Sequence, residues 1–116
     1  MTLFRPIGAA EHRLIADSAW RAFPPRLREQ PIFYPVATED YAIEIARDWN
    51  TKEPAGVGYV TAFEIDAAFI ARYSLRQAGN RTHLEYWIPA EDLAKFNAHL
   101  VGPIRIIHVF RRTEDA

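Results

Sequence analysis

The stretch that most constrains this chain runs from Leu84 to Ile88 and stops at Pro89. Leu84, Tyr86 and Ile88 alternate with Glu85 and Trp87, the period-two pattern of a strand with two different faces. Pro89 ends the run and suits the first turn of a helix, which Glu91 and Asp92 favour electrostatically. Glu85 is thereby expected mid-strand, on a rigid element, among large aromatic neighbours. Such a carboxylate can serve chemistry. It can equally point into water from a half-solvated strand, since antiparallel sheets often carry one polar face.

A chain of 116 residues is one ordinary domain, too short for two independent cores; residues 111–116 read as a polar tail. With 49% hydrophobic and 25% charged residues, it has the balance of a folded domain rather than a disordered one. The net charge of −1 argues against a broad nucleic-acid-binding surface, while leaving room for a local basic groove. No cysteine is present, which excludes disulfides and thiolate metal sites. The first residues lack the apolar run of a signal peptide, and no stretch approaches the ~18 apolar residues of a membrane span. A cytoplasmic protein without membrane association is the expectation.

Thr2 to Ile7 reads as a first strand, with Arg5 between apolar neighbours, and Gly8 separates it from a helix over Ala9 to Ser18. Leu14 and Ile15 supply that helix's apolar face, with Glu11, His12, Arg13 and Asp17 solvated. Trp20 to Phe23 reads as a short strand. Pro24 to Pro31 holds three prolines in eight residues, which makes it a stiff loop. Ile32 to Val36 is a short strand, and Thr38 caps a helix reaching Trp49, with Tyr41, Ala42, Ile45, Ala46 and Trp49 as its buried face. Asn50 to Gly58 is a flexible turn. Tyr59 to Ile65 alternates and reads as the longest, central strand. Asp66 caps a single helical turn to Ala71, Tyr73 to Gln77 is a strand, and Ala78-Gly79-Asn80-Arg81 turns into the strand carrying Glu85. The helix after Pro89 ends near His99, with Gly102-Pro103 as its stop. Ile104 to Phe110 closes the chain as a strand with Ile104, Ile106, His108 and Phe110 on one face. Six or seven strands with three helices and no βαβ alternation indicate an α+β domain on a mostly antiparallel, split sheet.

No GxGxxG, P-loop or GxSxG motif occurs, and the four histidines never take metal-ligand spacing. No metal site is expected. The candidates for chemistry are Arg5, Arg26, Tyr34, His83 and Glu85. An arginine buried on an apolar strand needs an anion, and a structural salt bridge and a ligand both satisfy Arg5. Tyr34 is either a core residue or a stacking platform. His83, two residues before Glu85, shares its strand face.

The segments Leu3-Phe4-Arg5-Pro6-Ile7-Gly8, Ala22-Phe23-Pro24-Pro25-Arg26-Leu27, Gln30-Pro31-Ile32-Phe33-Tyr34-Pro35-Val36, Ile45-Ala46-Arg47-Asp48-Trp49-Asn50 and Glu85 to Leu93 resemble a family of short bacterial proteins labelled "ADP-ribosylation/crystallin J1". The resemblance spans Leu3 to about Ile107. Crystallin J1 proteins are large all-helical glycohydrolases with paired-metal aspartates, a fold this strand-rich chain cannot form. The order of elements instead resembles a minimal ADP-ribosyltransferase-like domain of the kind found in small bacterial toxins. That resemblance implies a three-part motif, here Arg5 on the first strand, Tyr34 on a middle strand and Glu85 on a late one. His83 stands where the family more often has Glu or Gln, and Ser-Thr-Ser is absent, which points to the aromatic-type branch and leaves the acceptor open.

The resemblance implies NAD as substrate. Cleaving the nicotinamide–ribose bond develops an oxocarbenium-like centre that the fixed Glu85 carboxylate stabilises. Arg5 anchors the pyrophosphate or ribose, Tyr34 stacks on nicotinamide, and Arg26 and His83 are further cofactor contacts. The implied activity is mono-ADP-ribosyl transfer to an unknown acceptor. The alternatives are an NAD glycohydrolase and a non-catalytic nucleotide-binding or protein-interaction module. On the transferase reading Arg5, Tyr34 and Glu85 converge on one cleft; Glu85 on the opposite sheet face from Arg5 breaks it.

Overall fold

The computed structural model describes residues 1–79, 81 and 83–113. In chain order the elements are β1 (Thr2–Ile7), α1 (Ala9–Asp17), β2 (Ile32–Phe33), α2 (Glu39–Asp48), β3 (Val57–Ile65), α3 (Ala67–Ile70), β4 (Leu75–Gln77), β5 (Leu84–Tyr86), β6 (Ile88–Pro89), α4 (Leu93–Ala98) and β7 (Leu100–Arg111). All strand pairs are antiparallel, and the molecule is an α+β fold. Strand β3 lies between β1 and β7, and both its faces are buried. Single bridges from Phe4 to Val36 and from Val36 to Glu85 extend the order to β4, β5, Val36, β1, β3, β7. The short pair β2–β6 splits away beside them. No helix of the described residues is long and apolar enough to cross a membrane.

Each sheet face has its own core. On one side Phe23, Phe33, Phe63, Phe69 and Phe96 form an aromatic centre with Leu3, Ile7, Ile15 and Ile65. Phe23 lies 4.9 Å from Phe63 and 5.1 Å from Phe33, ring to ring, the spacing of favourable tilted and edge-to-face contacts. On the other side α2 packs Ala42 and Ala46 against Val36 and Val60. The small alanines and Gly58 let this helix lie close to the sheet. A Cβ on Gly58 would collide with the Ala46 carbonyl oxygen and come within 2.9 Å of Asn50 Cβ. Thr38 caps α2, its hydroxyl accepting from the Tyr41 N–H at 3.3 Å.

Several sequence expectations are corrected. Trp20 to Phe23 is no strand: Ala19 and Trp20 both take left-handed φ values, 60° and 64°, turning the chain sharply after α1. Leu14 and Trp49 are exposed, Trp49 at 65%, so the buried faces of both helices are narrower than their apolar spacing suggests. Glu11 and His12 are not simply solvated; His12 stacks on Tyr59 at 4.1 Å. The Asn50 to Gly58 segment opens with a 3₁₀ turn, Asn50–Lys52, and already enters β3 at Val57. Asp66 makes no side-chain cap to α3. The longest strand is β7, not β3, and Gly102-Pro103 lie within it. A register shift in β7 sets Ile106 opposite Thr61 but His108 opposite Val60. Ile104 and Ile106 therefore join the aromatic core, while Phe110 packs on the α2 side. Asn80 of the expected hairpin turn and residues 114–116 of the tail lie outside the described residues.

Candidate functional site

The three segments singled out in the sequence become neighbours through backbone hydrogen bonds. Phe4 and Val36 exchange N–H to carbonyl bonds of 2.9 and 2.8 Å, Ala37 N–H donates to Leu84 O at 2.8 Å and Tyr86 N–H to Pro35 O at 2.9 Å. Directly paired residues of an antiparallel sheet point to the same face. Phe4, Val36 and Glu85 thus face α2. Arg5, one residue on, faces the aromatic core with Leu3 and Ile7. The structure brings the three strands together and sends Arg5 and Glu85 to opposite sides. The single cleft expected for Arg5, Tyr34 and Glu85 is not formed.

Arg5 is only 9% exposed and its hydrogen bonds go to the protein. Nε donates to Glu11 Oε2 at 2.6 Å, Nη2 to Glu11 Oε1 at 2.9 Å and Nη1 to the Tyr34 carbonyl at 3.3 Å. The guanidinium lies 4.6 Å from the Phe33 ring centre. Of the two roles open to Arg5, the geometry assigns the structural one. This fork ties β1, α1 and the β2 segment together.

Glu85 sits in a polar and aromatic cluster on the α2 side. Burial pushes its carboxyl above the usual carboxylate range, against a hydrogen bond from Trp87 and the charge of His83. His83 stacks on Tyr41 at 4.3 Å, and its Nε2 lies 2.7 Å from Glu44. The Tyr41 hydroxyl is itself pushed up by burial, then by Glu85 and Glu44. Across the strand pair Arg76 opposes Glu85, its guanidinium 4.3 Å over the Trp87 ring. Tyr34 meets Trp87 edge to face at 5.9 Å. With Tyr34 36% and Trp87 41% exposed, the pair is an accessible aromatic platform beside a carboxyl group. His83, Tyr34 and Glu85 are thus brought together.

Arg26 lies on the other face, in a cleft of about 560 Å³ shared with Arg5, Glu11, Pro24, Pro25 and Asn50. Its cation is disfavoured, first by burial and then by Arg5, with Glu11 and Tyr34 acting the other way. Tyr34 meets Trp87 through its ring and Arg5 through its backbone carbonyl.

Glu11, Tyr41, Asn50, Arg76 and Trp87 were not candidates in the sequence. Only Glu11 had a usable signal there, as the acid one turn into the helix that follows the Arg5 strand. Compared with known proteins, the chain matches no family model, no curated protein and no solved structure.

Proposed function

We propose that the protein is a nucleotide-binding module of the NAD class on an ADP-ribosyltransferase-like sheet. The observation that carries this reading is the accessible Tyr34–Trp87 pair beside Glu85. A planar base or nicotinamide ring stacks on such aromatics, and a carboxylate accepts from ribose hydroxyls. The opposed directions of Arg5 and Glu85 favour a module over a transferase built on Arg5, Tyr34 and Glu85. The test is a thermal-shift titration with NAD and ADP-ribose, followed by Trp87 fluorescence. NAD should raise the melting temperature of the wild type, and Trp87→Ala should remove most of that rise. No shift at millimolar NAD refutes the reading.

A chemical role remains the second reading, favoured by the Glu85 carboxyl itself. Held in a partly desolvated setting by Trp87, it is suited to stabilise an oxocarbenium-like centre. Nicotinamide then leaves and ADP-ribose passes to water, the reaction of a glycohydrolase. Nicotinamide release by the wild type, lowered ~100-fold by Glu85→Gln with NAD binding unchanged, supports that reading. Binding of NAD without nicotinamide release, with or without candidate acceptors, leaves the module.

A further inference from the structure

The chain carries fourteen basic and fifteen acidic side chains, not counting histidine, so an even mixture of charge is the expectation for any part of its surface. One cleft departs from it. A space of about 300 Å³ at the end of β7 is lined by Arg47, Lys52, Arg111 and Arg112, with Thr51 and Phe110, and by no acid among the described residues. Cations gathered around one concave space repel one another and focus a positive potential there. In a chain of net charge −1 that potential is local, and it calls for an anion.

The protein neutralises only one of the four. Arg47 is spent on Asp48, with Nε donating to Oδ1 at 2.8 Å and Nη2 to Oδ2 at 3.1 Å. Lys52, Arg111 and Arg112 make no ion pair among the described residues. Arg112 is nevertheless held in place. Its N–H donates to the Gly56 carbonyl at 2.7 Å and its Nη1 to the Glu53 carbonyl at 3.4 Å. Gly56 has a φ of 68°, and a Cβ there would come within 3.2 Å of Arg112 Nη2. These acceptors are neutral carbonyls, so they fix the guanidinium without cancelling its charge. Lys52 joins the cleft to an aromatic ring, its Nζ lying 4.9 Å from the centre of the Trp49 ring. That ring is 65% exposed. A volume at the small end for ligand pockets suits a phosphate group rather than a whole nucleotide, which leaves the base outside, beside Trp49. Cations tracking a backbone next to an open aromatic ring are the two elements that bind single-stranded nucleic acid. An acidic polypeptide would use the charge but not the ring. The cleft shares no residue with the Tyr34–Trp87 platform.

We propose that this cleft and Trp49 form a docking site for single-stranded nucleic acid, with a backbone phosphate at Lys52, Arg111 and Arg112 and a base stacked on Trp49. The experiment is a fluorescence-anisotropy titration of the full chain with a labelled oligothymidylate of about ten nucleotides, repeated over a series of salt concentrations. Three unpaired cations predict a slope of log K against log salt of about −2. Arg112→Gln and Lys52→Gln should each weaken binding severalfold and reduce that slope by about 0.7. Trp49→Ala should weaken binding about tenfold and leave the slope unchanged. All three side chains are exposed, so circular dichroism melts should match the wild type and separate loss of binding from loss of fold. Absence of binding at low salt, a slope near zero, or full affinity in Trp49→Ala overturns the proposal. Equal displacement by polyglutamate of the same length would overturn it in favour of an acidic polypeptide. Displacement by pyrophosphate at the oligonucleotide's own concentration would overturn it in favour of a small-anion site.

Discussion

Replacing Glu11 by glutamine asks directly whether Arg5 is a structural arginine. The carboxylate and guanidinium are only 19% and 10% exposed and meet through two charge-assisted bonds. Removing one partner of such a pair strands the other charge in a poorly solvated site, at about 3–5 kcal/mol when burial is complete. The bond to the Tyr34 carbonyl and the Phe33 ring remain, so the lower end, about 3 kcal/mol, is expected. For a domain of this length each kcal/mol moves the melting temperature by about 4 °C, giving a fall of about 12 °C. Urea denaturation of wild type, Glu11→Gln, Arg5→Met and the double variant completes a cycle. In the Arg5→Met background Glu11→Gln should cost less than about 0.5 kcal/mol, because no charge is left to strand. Equal costs in both backgrounds, or a loss below about 1 kcal/mol in the wild type, would refute the structural role and return Arg5 to the ligand. Arg26→Ala is the control: its Nε has no protein partner, and stability should stay within about 0.5 kcal/mol of wild type.

Other consequences follow from single contacts. The folded carboxyl of Glu85 titrates above its unfolded counterpart, so between those two values the folded state holds the extra proton and stability declines as pH rises. Stability curves across mildly acid pH should show that slope in wild type and a flatter one in Glu85→Gln; parallel curves would contradict the burial. Gly58→Ala should cost about 3 kcal/mol, because the collision is with the backbone of α2 rather than a flexible side chain, and circular dichroism melts will measure it. Phe96→Ala, at the meeting point of Phe33, Phe63 and Phe69, should cost about 3–5 kcal/mol and abolish near-ultraviolet signal before far-ultraviolet signal.

Much of the local structure is legible in the sequence because it depends on neighbours in the chain. The bounds of β1, the Thr38 cap and the stiff Pro24 to Pro31 loop all follow from residues a few positions apart. Helix faces were read less well. Apolar spacing marks Trp49 as buried, yet the helix meets the sheet through Ala42 and Ala46, and the ring lies beyond the contact. The site is legible only in part. Glu85, Tyr34 and Arg26 stand out as candidates by residue type, position and resemblance, while their arrangement depends on the sheet. Asn50 reads in the sequence as the start of a flexible turn, and only the fold shows its amide donating to Glu53 with Oδ1 left buried and unpaired.

A period of two in the sequence determines that a strand has two faces, and it places Arg5 opposite Phe4 and Glu85 opposite Tyr86. It cannot determine which face of one strand continues which face of another. That is decided by the pairing register of segments distant in the chain, and a shift of one residue exchanges the faces. Here Phe4, not Arg5, pairs with Val36, and Val36 pairs with Glu85. The alternation of each strand was written in the sequence; the one-residue offset that sends Arg5 to Glu11 and Glu85 to Trp87 came only with the assembled sheet.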